Sequence, residues 1–184
     1  MNAYVNSRGN VEIVDAEVLA DWSHFAGELN ERGERVHYIE LKLSDDVADF
    51  LNGEDFNVRM WVPKDDQKSP VKHLKVRLPW YEPNTNKDWL NSKVNLVSRD
   101  KPTVKTRLDH DMWEELDKSI IDHANVTIRL YKGKTRTGTP FKTAQLIIGT
   151  FYISGSRSNE YEPDYEKASP ASKAQPIEDD DMPF

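Results

Sequence analysis

NVTIRLYKGKTRTGTPFKTAQLIIGTFYI, residues 125–153, is the stretch whose reading decides the fold. Its first part alternates, with Val126, Ile128 and Leu130 set against Thr127, Arg129 and Tyr131, the two-residue period of a strand with one buried face. Residues 143–153 form a second, longer and nearly all-apolar strand. Between them, residues 133–140 hold Gly, Thr and basic side chains, the chemistry of a connecting loop. From 125 to 158 there are six Lys and Arg and no Asp or Glu, in a chain where acids outnumber bases.

Working back toward the N-terminus, two more segments show the same period. Residues 71–78 set Leu74, Val76 and Leu78 against His73, Lys75 and Arg77, and residues 56–62 set Phe56, Val58, Met60 and Val62 against Asn57, Arg59 and Trp61. Both predict strands with an apolar inner face and a basic or aromatic outer one. Residues 36–43 place His37, Ile39, Leu41 and Leu43 on one side and Tyr38, Glu40 and Lys42 on the other, predicting a half-buried strand. A short helix follows at 45–51, closed by Asn52-Gly53. Residues 79–87, with two Pro and several Asn and Thr, read as a loop carrying Trp80 and Tyr81, and 89–97 as an ambiguous edge segment.

Two further stretches read as helices. After a short apolar run at 11–14, Asp15 is placed to cap a helix whose apolar positions Val18, Leu19, Trp22, Phe25, Ala26 and Leu29 recur at helical spacing as far as Gly33. Asp109 is placed to cap a second one using Met112, Trp113, Leu116, Ile120 and Ile121, with Glu114 and Glu115 in its first turns. The order of the body is then strand, strand, strand, helix, strand, strand. That order predicts a mainly β fold with helices, a five-stranded barrel of the OB type carrying an extra N-terminal helix. A mixed α+β sandwich is the main competitor.

From residue 154 Gly, Ser, Pro, Asn and Gln take over and apolar residues thin out. Such a segment cannot bury enough surface to offset its ordering entropy. The expected organisation is a folded domain over 1–158 and a disordered, acidic C-terminal tail over 159–184.

Composition narrows the function classes. The 184 residues include no Cys, which excludes disulfide scaffolds, thiolate metal sites and cysteine nucleophiles. No window approaches the roughly 20 apolar residues of a membrane span, and residues 1–9 lack the apolar core of a signal peptide, so a cytoplasmic protein without membrane contact is expected. The net charge of −7 taken alone argues against a nucleic-acid partner. By segment the picture changes. Residues 56–107 hold 12 bases and 5 acids, and 125–158 hold bases only, while 159–184 hold 8 acids and 2 bases. Residues 1–55 hold 13 acids and 4 bases and 108–124 hold 6 acids and 1 base, so the body nets −1, with two basic strand blocks interleaved with acidic ones, and −6 of the total belongs to the tail.

Single strands of nucleic acid are bound by a basic groove that follows the phosphates and by aromatic rings that stack on bases. The outward strand positions supply Arg59 with Trp61, Lys75 with Arg77, and Arg129 with Tyr131, while loops add Trp80, Tyr81, Lys132, Lys134, Arg136 and Phe141. In an OB-type barrel these fall on the face of strands two and three and in the loop between the last two strands. Trp22 and Trp113, on predicted helices, read as packing residues.

Other chemistries find little support. Gly133-Lys134-Thr135 resembles the end of a phosphate-binding loop, but Ile128 stands where its first Gly belongs. His110-Asp111 has no partners at metal-ligand spacing, and the pairs Asp45-Asp46 and Asp65-Asp66 are expected by chance in so acidic a chain. No nucleophile elbow or dinucleotide fingerprint is present. No catalytic residue, metal or cofactor is expected, and the alternatives are a nuclease or strand-annealing recombination protein with a docking tail, or an acidic adaptor that mimics nucleic acid.

The chain ends Asp179-Asp180-Asp181-Met182-Pro183-Phe184. Acids to meet Lys or Arg, a ring to fill an apolar pocket and a Pro to limit the entropy lost on docking make a peptide a partner can read. This tip resembles that of bacterial single-stranded-DNA-binding proteins, with Met182 where that family usually has Ile. The resemblance implies an OB-fold body that binds single-stranded DNA and a tip that recruits replication, recombination and repair enzymes. The body departs from the usual bacterial sequence, so a divergent, phage-encoded version is the expectation; a homo-oligomer is compatible with it.

Overall fold

The computed structural model describes residues 1–65 and 68–157. The expected tail at 159–184, with its partner-binding tip 179–184, and Asp66 of the Asp65-Asp66 pair lie outside the described residues.

Alternating sequence becomes strand almost throughout. Ten strands make one sheet: β1 (Asn2–Val5), β2 (Val11–Val18), β3 (His24–Leu29), β4 (Arg35–Lys42), β5 (Arg59–Trp61), β6 (Val71–Arg77), β7 (Lys93–Ser98), β8 (Lys105–Leu108), β9 (Ser119–Lys134) and β10 (Pro140–Ser156). Among the described residues helix is confined to α1 (Asp45–Gly53), α2 (Glu114–Asp117) and single 3-10 turns at Ala20–Trp22, Asp88–Leu90 and His110–Met112. None of these helices is long and apolar enough to cross a membrane.

Five of the strands close into a ring. β6 pairs antiparallel with β4, β4 with β2, β2 with β9 and β9 with β10. β10 returns to β6 in a short parallel pairing, Ala144 opposite Val76 and Gln145 opposite Arg77. Into this ring point Val11, Ile13, Ile39, Leu41, Leu74, Val76, Val126, Ile128, Ala144 and Leu146, all buried in one core cluster. Each fully buried Ile or Leu contributes roughly 1.5–3 kcal/mol relative to exposure, so the closed ring is the main stabilising feature. The remaining strands are additions: β1 on β2, β3 on β4, β5 on β6, and the β7–β8 hairpin on the far half of β10.

The predicted N-terminal helix does not form. Its first half is the end of β2, its second half is β3, and only Ala20–Trp22 takes a helical turn. The reason is a bulge. Ile13 opposes Val126 but Ala16 opposes Ala124, and between them Asp15 adopts φ 55° while its amide donates to Asn125 Oδ1 at 2.9 Å. One inserted residue shifts the apolar phase, so Val11, Ile13, Ala16 and Val18 mix two- and three-residue steps and imitate helical spacing. Further on, Gly27 has φ 84°, and a Cβ there would lie 2.9 Å from the His37 ring, so this position takes neither helix nor any larger residue comfortably.

The second predicted helix is cut short after Asp117. Ile121 opposes Ile153 and Ile120 opposes Gly155, because the long apolar run of β10 offers residues 119–125 a ladder of backbone hydrogen bonds. Asp109 makes no side-chain cap. The segment 56–62 forms a strand only at β5, and there the burial of its two faces is the reverse of the expectation. Met60 and Val62 are exposed, while Arg59 and Trp61 are half-buried, because β5 is an edge and Trp22 holds Trp61 from the sheet side. Residues 36–43 are buried on both sides rather than one. The connection after residue 132 is shorter than expected: strand pairing continues to Lys134 opposite Pro140, and Phe141 belongs to β10.

Candidate nucleic-acid interface

Residues directly opposite one another in adjacent strands share a face. Tyr38 opposes Arg77, Arg77 opposes Gln145 and Gln145 opposes Arg129, so four strands contribute one continuous row of side chains. Their chain neighbours Ile39, Val76, Ala144 and Ile128 point into the core, so the row lies on the outside of the ring. The next positions continue the same face, with Lys75 opposite Glu40 and Tyr131 opposite Thr143, then Arg59 opposite His73 and Trp61 opposite Val71. The structure therefore brings together Arg59, Trp61, Lys75, Arg77, Arg129 and Tyr131 on one surface, as the outward positions of the sequence predicted.

Part of this surface is roofed. Trp22 stands edge-on to Trp61 at 5.6 Å and to His73 at 5.1 Å between ring centroids, and His24 leans on Tyr38 at 5.0 Å. Beneath the roof His73 donates from Nδ1 to Glu40 Oε2 at 2.7 Å, and Lys75 Nζ lies 3.9 Å from the centre of the Tyr38 ring. The roof leaves the Arg77 and Arg129 end uncovered by Trp22. There Arg129 Nε donates to Gln145 Oε1 at 3.1 Å, while its buried Nη2 has no acceptor among the described residues. Burial pulls the Arg129 guanidinium below its ordinary pKa, with Tyr81 close enough to oppose the effect slightly. The group stays charged, and no carboxylate forms an ion pair with it among the described residues.

The loop after β6 makes the rim of this face. Asn91 accepts from the Tyr81 amide at 2.6 Å and donates to the Tyr81 carbonyl at 2.9 Å, while Ser92 bonds the Pro79 and Leu146 carbonyls, closing the loop at its base. Trp80 stacks flat on His110 at 4.2 Å and meets Trp113 edge-on. His37 Nδ1 donates to the Phe25 carbonyl at 2.7 Å, which leaves its Nε2 to accept from His110 Nε2 at 3.0 Å. Burial pushes both imidazoles below the usual histidine range, His110 to about 4 with His37 adding to the effect, so the pair is neutral at physiological pH. Among the described residues no group of three or more His, Cys, Asp or Glu is placed to hold a metal ion.

The remaining candidates are dispersed. Lys134 and Arg136 are exposed about the turn between β9 and β10, which Thr135 and Thr139 tie off by backbone and side-chain hydrogen bonds. Lys132 and Lys142 oppose each other across the hairpin and share Asp55, at 2.6 and 2.7 Å. Those two contacts hold the Asp55 carboxyl down to about 2. Phe141 is buried beside Tyr131 and lies across Gly133, where a Cβ would come within 2.6 Å of its ring, so it packs the hairpin instead of presenting a free face.

Sequence reasoning passed over Tyr38 and Gln145 as parts of this surface, and Arg35 and His37 beside it. Gln145 was detectable as a lone amide in an apolar strand, and Tyr38 by its outward phase. Arg35 and His37, which line a groove of about 270 Å³ with Arg77, Trp80 and His110, are brought there only by the pairing of β4 with β6.

Comparison with known proteins finds no matching family model and no curated protein of matching sequence. Among solved structures, the single-stranded DNA-binding protein from bacteriophage Enc34 superposes with a TM-score of 0.52 at 10% identity, over 91% of this chain and 93% of that one. The same protein in complex with single-stranded DNA gives 0.51 at 10% identity, over 89% and 93%. The chain has the fold of a phage single-stranded DNA-binding protein.

Proposed function

We propose that this chain is a non-enzymatic single-stranded-DNA-binding protein, phage-encoded, whose body is an OB-type barrel. The five ring strands run 1-2-3-5-4-1 in their chain order, and the face of the second and third, β4 and β6, is the surface an OB-type barrel uses for single strands. The observation that carries the reading is the outer row Tyr38, Arg77, Gln145 and Arg129. It sets two guanidinium groups in line with Tyr38 and Gln145, which are themselves nearly fully buried, on a twisted sheet, and Arg129 has no carboxylate partner among the described residues. Lys75, Arg59 and Tyr131 widen it, and Lys134 and Arg136 extend it along the turn between the fourth and fifth ring strands. The fold shared with the Enc34 protein, solved with single-stranded DNA, supports the same reading.

In this reading the domain over 1–158 coats and protects single strands in the cytoplasm of the host during replication, recombination or repair. The segment 159–184 is a linker and docking arm whose tip, Asp179, Asp180, Asp181, Met182, Pro183 and Phe184, recruits the enzymes of those processes. The −7 net charge then falls mainly on the end that stays off DNA.

A fluorescence-anisotropy titration at two salt concentrations tests this. Binding of a single-stranded oligonucleotide should be tighter than binding of the duplex. Three or more phosphate contacts should give a log K against log salt slope of about −2 or steeper. Removing the last six residues should leave affinity unchanged or raised. No single-strand binding at low salt, or affinity abolished by the truncation, overturns the reading.

A further inference from the structure

Trp89 is the most exposed large apolar side chain among the described residues, at 74%, yet it is not loose. Its Nε1 donates to the Asn86 carbonyl at 3.0 Å within a loop that Asn91 and Ser92 close at the base. A ring held by its edge with its faces open is a stacking platform built in advance, and the loop forfeits the burial energy of a Trp to present it. Trp89 and Trp80 line a cleft of about 760 Å³. Trp80 and His110 also line the groove that contains Arg77, so the cleft continues from the cationic face.

The charge in the cleft is divided. Lys93 and Arg107 line it together with the carboxylates of Glu82, Asp88, Asp109 and Asp111. A phosphate would be repelled by the acids and kept to the Lys93 and Arg107 side. A neutral heterocycle would not be, and its amino groups would find acceptors. Trp113, nearly fully buried, backs the same wall, and its indole N–H has no acceptor among the described residues.

Resting on the single-strand reading above, we propose that the Trp80–Trp89 cleft takes an unstacked base of the bound strand and favours bases bearing an exocyclic amine. Adenine, cytosine and guanine carry one. Thymine does not.

The experiment measures affinities of the full chain and of Trp89→Ala for oligo-dC and oligo-dT of equal length at fixed salt. The full chain should prefer oligo-dC by about fivefold. Trp89→Ala should bind oligo-dC about tenfold more weakly and lose most of the preference. Trp89→Phe, which keeps a ring, should retain most of the binding, and Glu82→Gln with Asp111→Asn should reduce the preference while leaving oligo-dT binding equal or tighter. Thermal unfolding of Trp89→Ala should match the parent, since the ring is exposed. Single-strand binding that is unchanged in Trp89→Ala overturns this inference and leaves the function standing. No preference for oligo-dC in the full chain overturns the amine selection. No binding of either strand overturns the function as well.

Discussion

The outer row on β4, β6, β10 and β9 and the aromatic end around Trp80 adjoin each other but are built by different means. The row is a product of register. Four strands that pair side by side must set Tyr38, Arg77, Gln145 and Arg129 in line, and a one-residue slip in any strand would send its member into the core. The aromatic end is a product of loops. Trp80, Trp89, His110 and Trp113 arrive from a segment pinned at its base and from a single 3-10 turn; stacking and a neutral His37–His110 hydrogen bond hold Trp80, His110 and Trp113, and the Asn86 carbonyl holds Trp89 by its edge. The row is suited to charge, which acts over several ångströms and tolerates approximate placement. The aromatic end is suited to ring faces, which need contact. A strand of nucleic acid presents both, phosphates on one side and bases on the other.

The comparison can be broken most sharply at the row. Arg77→Ala with Arg129→Ala should lower single-strand affinity about a hundredfold at low salt and flatten the salt slope by about 1 to 1.5, the signature of two lost phosphate contacts. An unchanged slope with weakened binding would assign the arginines to shaping the sheet instead.

At the aromatic end the handle is pH. The folded pKa of His110, near 4, lies below its value in an unfolded chain, and His37 is shifted the same way. Between about 6.5 and 4 the unfolded state therefore binds more protons, so stability is full above 6.5 and falls as pH drops through that window. Urea unfolding at pH 7.5 and 5 should show this loss in the parent and a smaller one in His110→Gln. An equal loss in both would take the pH dependence away from His110 and place it on other groups, among them His24, which burial shifts the same way.

The smallest expected effect has the opposite sign. Asp55→Asn removes the shared partner of Lys132 and Lys142, freeing two cations on the hairpin, and should tighten single-strand binding by about two- to threefold. Weaker binding instead would mean that Asp55 is needed to hold the hairpin in place.

Legibility followed the physics of each segment. β6 and the 126–131 part of β9 were readable because each sets one face against the core with an uninterrupted two-residue period, so the outward cations Lys75, Arg77 and Arg129 could be named in advance; β10 was readable as a long apolar run despite its bulges, while the start of β9 read as helix. Residues 11–29 were not, because the bulge at Asp15 breaks the period of β2 and the positive φ of Gly27 shows only in the folded backbone. Trp22, read as a packing residue on a helix, is a packing residue on a roof over the site. Met60 and Trp61 keep their predicted sides but exchange burial, because an edge strand has a partner on one side only, and what covers it comes from elsewhere in the chain.

The amino-acid sequence by itself determined that the body is mainly β, that basic charge concentrates in residues 56–107 and 125–158, and that acidic charge concentrates in residues 1–55, 108–124 and 159–184. These follow from local periodicity and composition, which each segment carries alone. Only the tertiary structure decided that five strands close through a parallel contact between β6 and β10, that this contact joins Arg77 to Gln145 and Arg129, and that His110 meets Trp80 and His37. Those contacts join residues up to 73 positions apart, and a period repeated every two residues carries no information about which distant strand or loop will supply the neighbour.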